Sequence, residues 1–149
     1  MVEPRFRIAS AGDAPELTWL EGIARAALAD QRGGDLWLAA NSAQSPSWSA
    51  VGDGDVIVCT IDDVPVGYVR FAADSGVVYV HDVFVHPEAR EVGCGDGLLV
   101  EAIREGVARG ATRVEAVALP GDRETKNLYE RAGITAKRII VSAPIGDDG

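Results

Sequence analysis

Apolar positions along the chain fall into a readable order of elements. Arg5 to Ala9 alternates polar and apolar residues, the period of a half-buried strand. Ala11-Gly12-Asp13 then reads as a turn, with Asp13 the predicted cap of a helix and Pro15 and Glu16 in its first turn. Leu17, Leu20, Ile23, Ala24, Ala27 and Leu28 recur at helical spacing, and Gly33-Gly34 is the predicted stop. Between Asp35 and Ala50 no period emerges; Ser45-Pro46-Ser47 and Gly52-Asp53-Gly54 are the most loop-like breaks. Three β-rich runs follow, Val56 to Ile61, Val66 to Ala72 and Val77 to Val85, parted by turns at Asp62-Asp63 and Asp74-Ser75-Gly76. Pro87 stops the pairing, because proline has no donor for a ladder. A glycine-rich loop, Gly93 to Gly97, leads into a helix face of Leu98, Leu99, Ala102, Ile103 and Val107 that Gly110 ends. Val114 to Leu119 is a buried-looking strand. Asp122 opens a helix that runs through Arg131 to Gly133, and Ile139 to Val141 lie in a last strand.

The three-strand meander calls for antiparallel pairing, and the strand-helix-strand unit from Val77 to Leu119 for a parallel or splayed neighbour. The predicted class is therefore α/β, a mixed sheet with helices on both faces. At 149 residues the chain is the size of one domain, and residues 1–149 are expected to form one. No apolar run approaches the ~18 residues of a membrane span, and the opening Met1 to Arg5 does not read as a secretory signal. The balance of 14 basic against 23 acidic residues repels phosphate backbones and argues against nucleic acid as a partner. Cys59 and Cys94 lack metal-ligand spacing and are too few for a disulfide framework, so no metal is expected and a reducing cytoplasm is the default compartment.

The chemistry sits between Val83 and Leu99, where a strand meets a glycine-rich turn and a helix follows at once. Backbone N–H groups of such a turn, together with a helix N-terminus, bind anions. The Walker pattern fails for want of Gly-Lys-Ser/Thr, and the dinucleotide pattern fails at Leu98, although Glu115 lies about 20 residues on, where a ribose ligand would. Arg-x-x-Gly-x-Gly is met by Arg90, Gly93 and Gly95.

With Val83-Phe84-Val85-His86-Pro87 ahead of it, this stretch resembles the pyrophosphate motif of the GNAT superfamily of acyl-CoA-dependent N-acetyltransferases. Asn127-Leu128-Tyr129-Glu130-Arg131-Ala132-Gly133-Ile134 is similar to the end of that family's last helix, with Ile134 in place of the usual Phe and Asp122 in place of its Asn. The resemblance implies a mostly antiparallel GNAT-like sheet that splays between Val77–Val85 and Val114–Leu119, with acetyl-CoA as cosubstrate in the splay. It implies a pyrophosphate held by backbone at Val92, Gly93, Cys94, Gly95, Asp96 and Gly97, with Arg90 beside it. A pantetheine arm would pair along Phe84 and Val85, and the Val85 N–H would polarise the thioester carbonyl. Tyr129 is the implied donor to the leaving thiolate. The acceptor amine arrives as ammonium and needs a base. Asp82 is the candidate, with His81 and a water chain left open; His81 faces the other way by strand alternation unless a bulge intervenes.

The implied partner is a small-molecule or peptide amine. A homodimer is the symmetric option for the assembly. A non-catalytic acyl-CoA-binding module is the alternative function. Cys94 lies where a helix dipole lowers a thiol's pKa, against the plainer reading of a packed small side chain. Trp19, Trp37 and Trp48 fall in the region that would wall the acceptor site.

Overall fold

The computed structural model describes residues 3–45, 48, 51 and 55–146. Five strands form one sheet in chain order: β1 (Arg5–Ile8), β2 (Val56–Ile61), β3 (Val64–Asp74), β4 (Val77–Val85) and β5 (Arg113–Ala116). The first three pairings are antiparallel, β1 with β2 across the connection that holds α1 and α2 and the next two across two-residue turns, and β4 runs parallel to β5 across the helical crossover. The helices are α1 (Ala14–Ala29), α2 (Gly34–Ala40), α3 (Cys94–Ala108) and α4 (Arg123–Arg131).

Two apolar layers sandwich the sheet. On one face α3 sets Leu98, Leu99 and Ala102 against Ile57, Cys59, Val69, Phe71, Val78 and Val80. On the other, Leu17 and Leu20 of α1 join Val56, Val58, Tyr68 and Trp48. Strand alternation divides these sets, so β2 gives its odd positions to one layer and its even positions to the other.

Several element ends depart from the sequence expectation. Asp13 does not cap α1 through its side chain. Its carboxylate instead accepts from Arg7 at 2.7 and 2.9 Å and from the Ser10 N–H at 2.8 Å, tying β1 to the start of α1. α1 stops at Ala29, and Gly33 begins α2, with its φ of 86° in the left-handed region. The seven residues of α2 fall where no period is legible. Of the predicted breaks, only Ser45 lies within the described residues.

α3 begins at Cys94, so Gly95 and Gly97 belong to the helix and not to a loop. The glycines serve different needs. Gly93 adopts φ 86°, which turns the chain into the helix. A Cβ on Gly95 would press on Leu128 at 3.3 Å, and one on Gly97 would overlap the Phe6 ring. Val107, predicted on the helix's buried face, is 61% exposed.

β5 ends at Ala116 and not Leu119. The predicted final strand does not form: Ile139, Ile140 and Val141 are 81–88% exposed and carry no regular structure.

Candidate active site

The site follows from one irregularity. Arg70 of β3 pairs with Asp82, but the next residue, Phe71, pairs with Val80, leaving His81 as the extra residue of a β-bulge. Val78 and Val80 face α3 before the bulge, and Val83 and Val85 face α3 after it. The bulge thereby turns Asp82 and Phe84 to the α1 face, where Phe84 packs near Tyr68. It also marks where the sheet opens. β4 and β5 pair only from Val77 with Arg113 to Val80 with Ala116, and beyond that the strands part.

The gap is lined by His81, Asp82 and Val83 of β4 and by Val117, Ala118 and Leu119 of the chain after β5. Asp122, Thr125 and Tyr129 close it from α4, and Leu28 and Trp37 from α1 and α2. Tyr129 and both candidate bases thus share one open cleft of about 50 Å³. That is room for a water or two, of which each fills roughly 30 Å³ in the liquid.

Asp82 is held by the Arg70 guanidinium, whose Nε donates at 2.7 Å. Burial raises the pKa of this carboxyl, and the Arg70 charge opposes the rise without cancelling it. His81 is shifted the other way: burial, then the Arg70 charge, disfavour its cation, so it is the more readily neutral imidazole. Burial, helped by the charges of Asp82 and Asp122, pushes the Tyr129 phenol well above its usual range. Tyr129 therefore keeps its proton at any physiological pH. Asp122 caps α4 as expected, accepting from the Thr125 N–H at 3.2 Å and the Thr125 hydroxyl at 2.7 Å.

The expected anion loop lies at the end of β4. The His86 N–H donates to Val66 of β3 at 2.8 Å, so alternation turns the neighbouring Val85 backbone toward the open side. The Val85 carbonyl there accepts from Arg90 Nε at 3.1 Å, which leaves its N–H facing the gap. At the start of α3 the Gly97 N–H returns to Gly93, while the N–H groups of Cys94, Gly95 and Asp96 have no backbone partner among the described residues. Gly95 lies between Val85 and Leu128, which sets the start of α3 beside the end of β4 and beside α4. Arg90 is not a free cation. It also meets Glu124 at 2.7 Å and lies 5.7 Å over the Phe84 ring, bracing the mouth between β4 and α4.

Other candidates resolve differently. Cys94 is buried against Cys59, and burial raises both thiols, which overturns the activated-thiol reading. Of the tryptophans, only Trp37 lines the cleft. Trp48 packs edge-on to Tyr68 in the core, and Trp19 stacks on His86, whose Nδ1 accepts from the Glu88 N–H. Sequence reasoning missed Arg70, the partner of Asp82. It also missed Glu21, a buried carboxylate that accepts from the N–H groups of Gln44 and Ser45 and fixes the segment after α2. Among the described residues no cluster of His, Cys, Asp and Glu forms a metal site, and no helix is long and apolar enough to cross a membrane.

Comparison with known proteins agrees with this geometry. The model of the acetyltransferase (GNAT) family matches residues 20–134. An aminoglycoside N-acetyltransferase, AAC(6')-Iy, solved in complex with CoA, superposes with a TM-score of 0.69 at 17% identity, covering 97% of this chain and 96% of its own. The diaminobutyrate acetyltransferase EctA from Paenibacillus lautus, bound to L-2,4-diaminobutyric acid and coenzyme A, gives 0.67 at 15% identity over 89% of this chain and 75% of its own. A tetramutant of the BH1408 protein from Bacillus halodurans gives 0.72 at 16% identity over 95% and 99%. A search of curated proteins returns no match.

Proposed function

The chain belongs to the acetyltransferase (GNAT) family and is an acetyl-CoA-dependent N-acetyltransferase, and we propose that residues 1–149 form one domain whose β4–β5 cleft passes acetyl directly to a primary amine. One observation carries this reading. Asp82 and Tyr129 line one gap where β4 and β5 part, and the end of β4 at Val85 packs against the start of α3.

The residues divide the work by their chemistry. N–H groups from Val92 to Asp96 take the pyrophosphate, with the dipole of α3 favouring the negative charge; the Gly97 N–H, expected in this set, is instead bonded to the Gly93 carbonyl. The backbone of Phe84 and Val85 offers strand-like bonds to the pantetheine arm. The Val85 N–H donates to the thioester carbonyl and strengthens as charge moves onto that oxygen. The amine loses its proton to Asp82 through a bridging water, and its nitrogen bonds to the carbonyl carbon. The C–S bond breaks, and the Tyr129 hydroxyl donates to the departing sulfur. Trp37, Leu28 and the Val117–Leu119 segment wall the acceptor side. The cleft carboxylates Asp82 and Asp122 favour a cationic acceptor, the charge type of the diaminobutyrate bound by EctA. The buried free thiols fit a reducing, cytoplasmic setting.

A screen of primary amines with acetyl-CoA, reading free thiol and acetylated product, tests the activity, and calorimetric titration of CoA tests the binding site. Binding without turnover of any amine would make the chain an acyl-CoA-binding module. Failure of CoA to bind would remove the cleft assignment.

A further inference from the structure

The α1 layer of the core holds a phenol with nothing to bond. Tyr68 of β3 is fully buried, and its hydroxyl has no hydrogen-bond partner. Buried hydroxyls are nearly always paired, because taking one out of water without a partner is costly. The ring itself is well seated, edge-on to Trp48 at 5.1 Å and tilted against Phe84 at 6.4 Å.

The register narrows the choice of partner. Tyr68 pairs with Phe84 and Arg70 with Asp82, so Tyr68 and Asp82 are diagonal neighbours on the α1 face, a separation that a long side chain spans. Two carboxylates act on the phenol. Burial holds its pKa well above the usual range, and the charge of Asp82 adds to this ahead of that of Glu21. Glu21 is already supplied with donors, the N–H groups of Gln44 and Ser45 at 2.8 and 2.9 Å and the Ser45 hydroxyl at 2.7 Å. Asp82 has Arg70 Nε on Oδ1 at 2.7 Å, and its Oδ2 has no donor among the described residues.

We propose that Tyr68 is a positioning residue for the base: its hydroxyl donates to Oδ2 of Asp82, so that Arg70 and Tyr68 grip the carboxylate from β3 and aim it at the cleft. This rests on Asp82 being the base. The groups around the carboxylate are Arg70 and Tyr68 from β3, Glu21 from α1, His81 from β4 itself, and Tyr129 and Asp122 from α4 and its cap. Burial raises the Asp82 pKa, Arg70 and the Tyr68 hydroxyl favour the charged form, and Glu21 opposes it. Tyr68 keeps its own proton throughout and acts only as a donor.

Tyr68→Phe deletes the hydroxyl and keeps the ring between Trp48 and Phe84. Its kcat should fall about tenfold on the acidic side of the pH–rate profile, the worth of one hydrogen bond to an ionised group, and far less on the plateau, where Asp82 is ionised in either chain. A second measurement reads the contact without turnover. In chains isotope-labelled at the aspartate and glutamate carboxyl carbons, the resonance missing from Asp82→Asn is that of Asp82, and it should titrate at higher pH in Tyr68→Phe. An unmoved Asp82 resonance overturns the proposal, whatever happens to kcat. So does a glutamate carboxyl that moves in its place, which would give the hydroxyl to Glu21. A resonance that moves while the acidic limb stays fixed overturns the positioning role in a different way: the hydrogen bond stands, and the base assignment is what fails.

Discussion

Replacing Tyr129 by Phe removes one hydroxyl from the cleft and nothing else. That hydroxyl makes no hydrogen bond to another described side chain, so no native bond is broken, and the ring keeps its place among Leu128 and the α3-face core. Stability should move by less than about 0.5 kcal/mol, the usual range for a change that leaves packing intact, or roughly 1–2 °C in Tm for a chain this size. The rate is another matter. With its pKa raised by burial and by Asp82, the phenol cannot hand its proton outright to a thiolate whose acid has a pKa of about 8.5. The step would be uphill by more than about 2 kcal/mol, the gap between ordinary phenol and thiol. A hydrogen bond that tightens as the C–S bond opens avoids that cost. Its loss should lower kcat about 10- to 1,000-fold, toward the lower end of acid–base effects, which is about 1.4–4 kcal/mol of barrier. Thiol release with a good acceptor measures kcat, and calorimetry should return an unchanged affinity for CoA. A kcat within about twofold of wild type would make Tyr129 a packing residue, and a Tm loss of several degrees would show that its hydroxyl holds structure.

Asp82→Asn should lower kcat by roughly 100-fold or more near neutrality and recover partly above pH ~8, where more amine is already neutral; a pH–rate profile parallel to wild type would take Asp82 out of the base role. In Arg70→Met the cation that opposes Asp82 protonation is gone, so the acidic limb of that profile should move to higher pH; an unmoved limb would separate the pair from catalysis. Gly97→Ala should destabilise by about 1–3 kcal/mol, because its Cβ needs the space of the Phe6 ring, and Phe6→Leu in the same chain should restore part of the loss in denaturant titrations. His81 has a folded pKa below its unfolded value, so the unfolded chain binds more protons between the two. Its contribution to stability is therefore present above pH ~6.5 and lost as pH falls through the folded pKa; His81→Gln should flatten that part of the stability–pH curve.

Much of this site was legible in the chain because its determinants are local. A strand ending at proline, Gly93 with its left-handed φ, and the small residues at the start of α3 lie within a dozen positions of one another. Tyr129 was legible only through the family resemblance, whose motif is equally local, a short helix closed by Gly133. What escaped was set by pairing across the sheet. Arg70 lies twelve positions before Asp82, and only the β3–β4 register makes them partners. Glu21 finds its donors at Gln44 and Ser45 in a stretch with no period of its own. Gly95 and Gly97 read in the sequence as part of an anion-binding loop, whereas they lie in α3 and make room for Leu128 and Phe6, residues brought to the helix only by the fold.

The bulge at His81 shows why register decides chemistry here. Side chains on a strand alternate faces, so a single unpaired residue exchanges the two sets beyond it. In a regular β4, Asp82 would share the face of Val78 and Val80, beneath α3 and among Leu98 and Leu99. An ionised carboxylate there would have no partner and no water, a cost of several kcal/mol that the chain would escape by protonation. With His81 unpaired, Asp82 stands instead on the opposite face, opposite Arg70, with a fifth of its side chain still reached by solvent. The same displacement keeps Val83 and Val85 in the α3 layer, which seats the end of β4 against the helix proposed to bind the anion through its first N–H groups. One inserted residue thus serves the core and the cleft together: it places the base candidate where a proton can leave, and it begins the separation from β5 that makes room for a substrate.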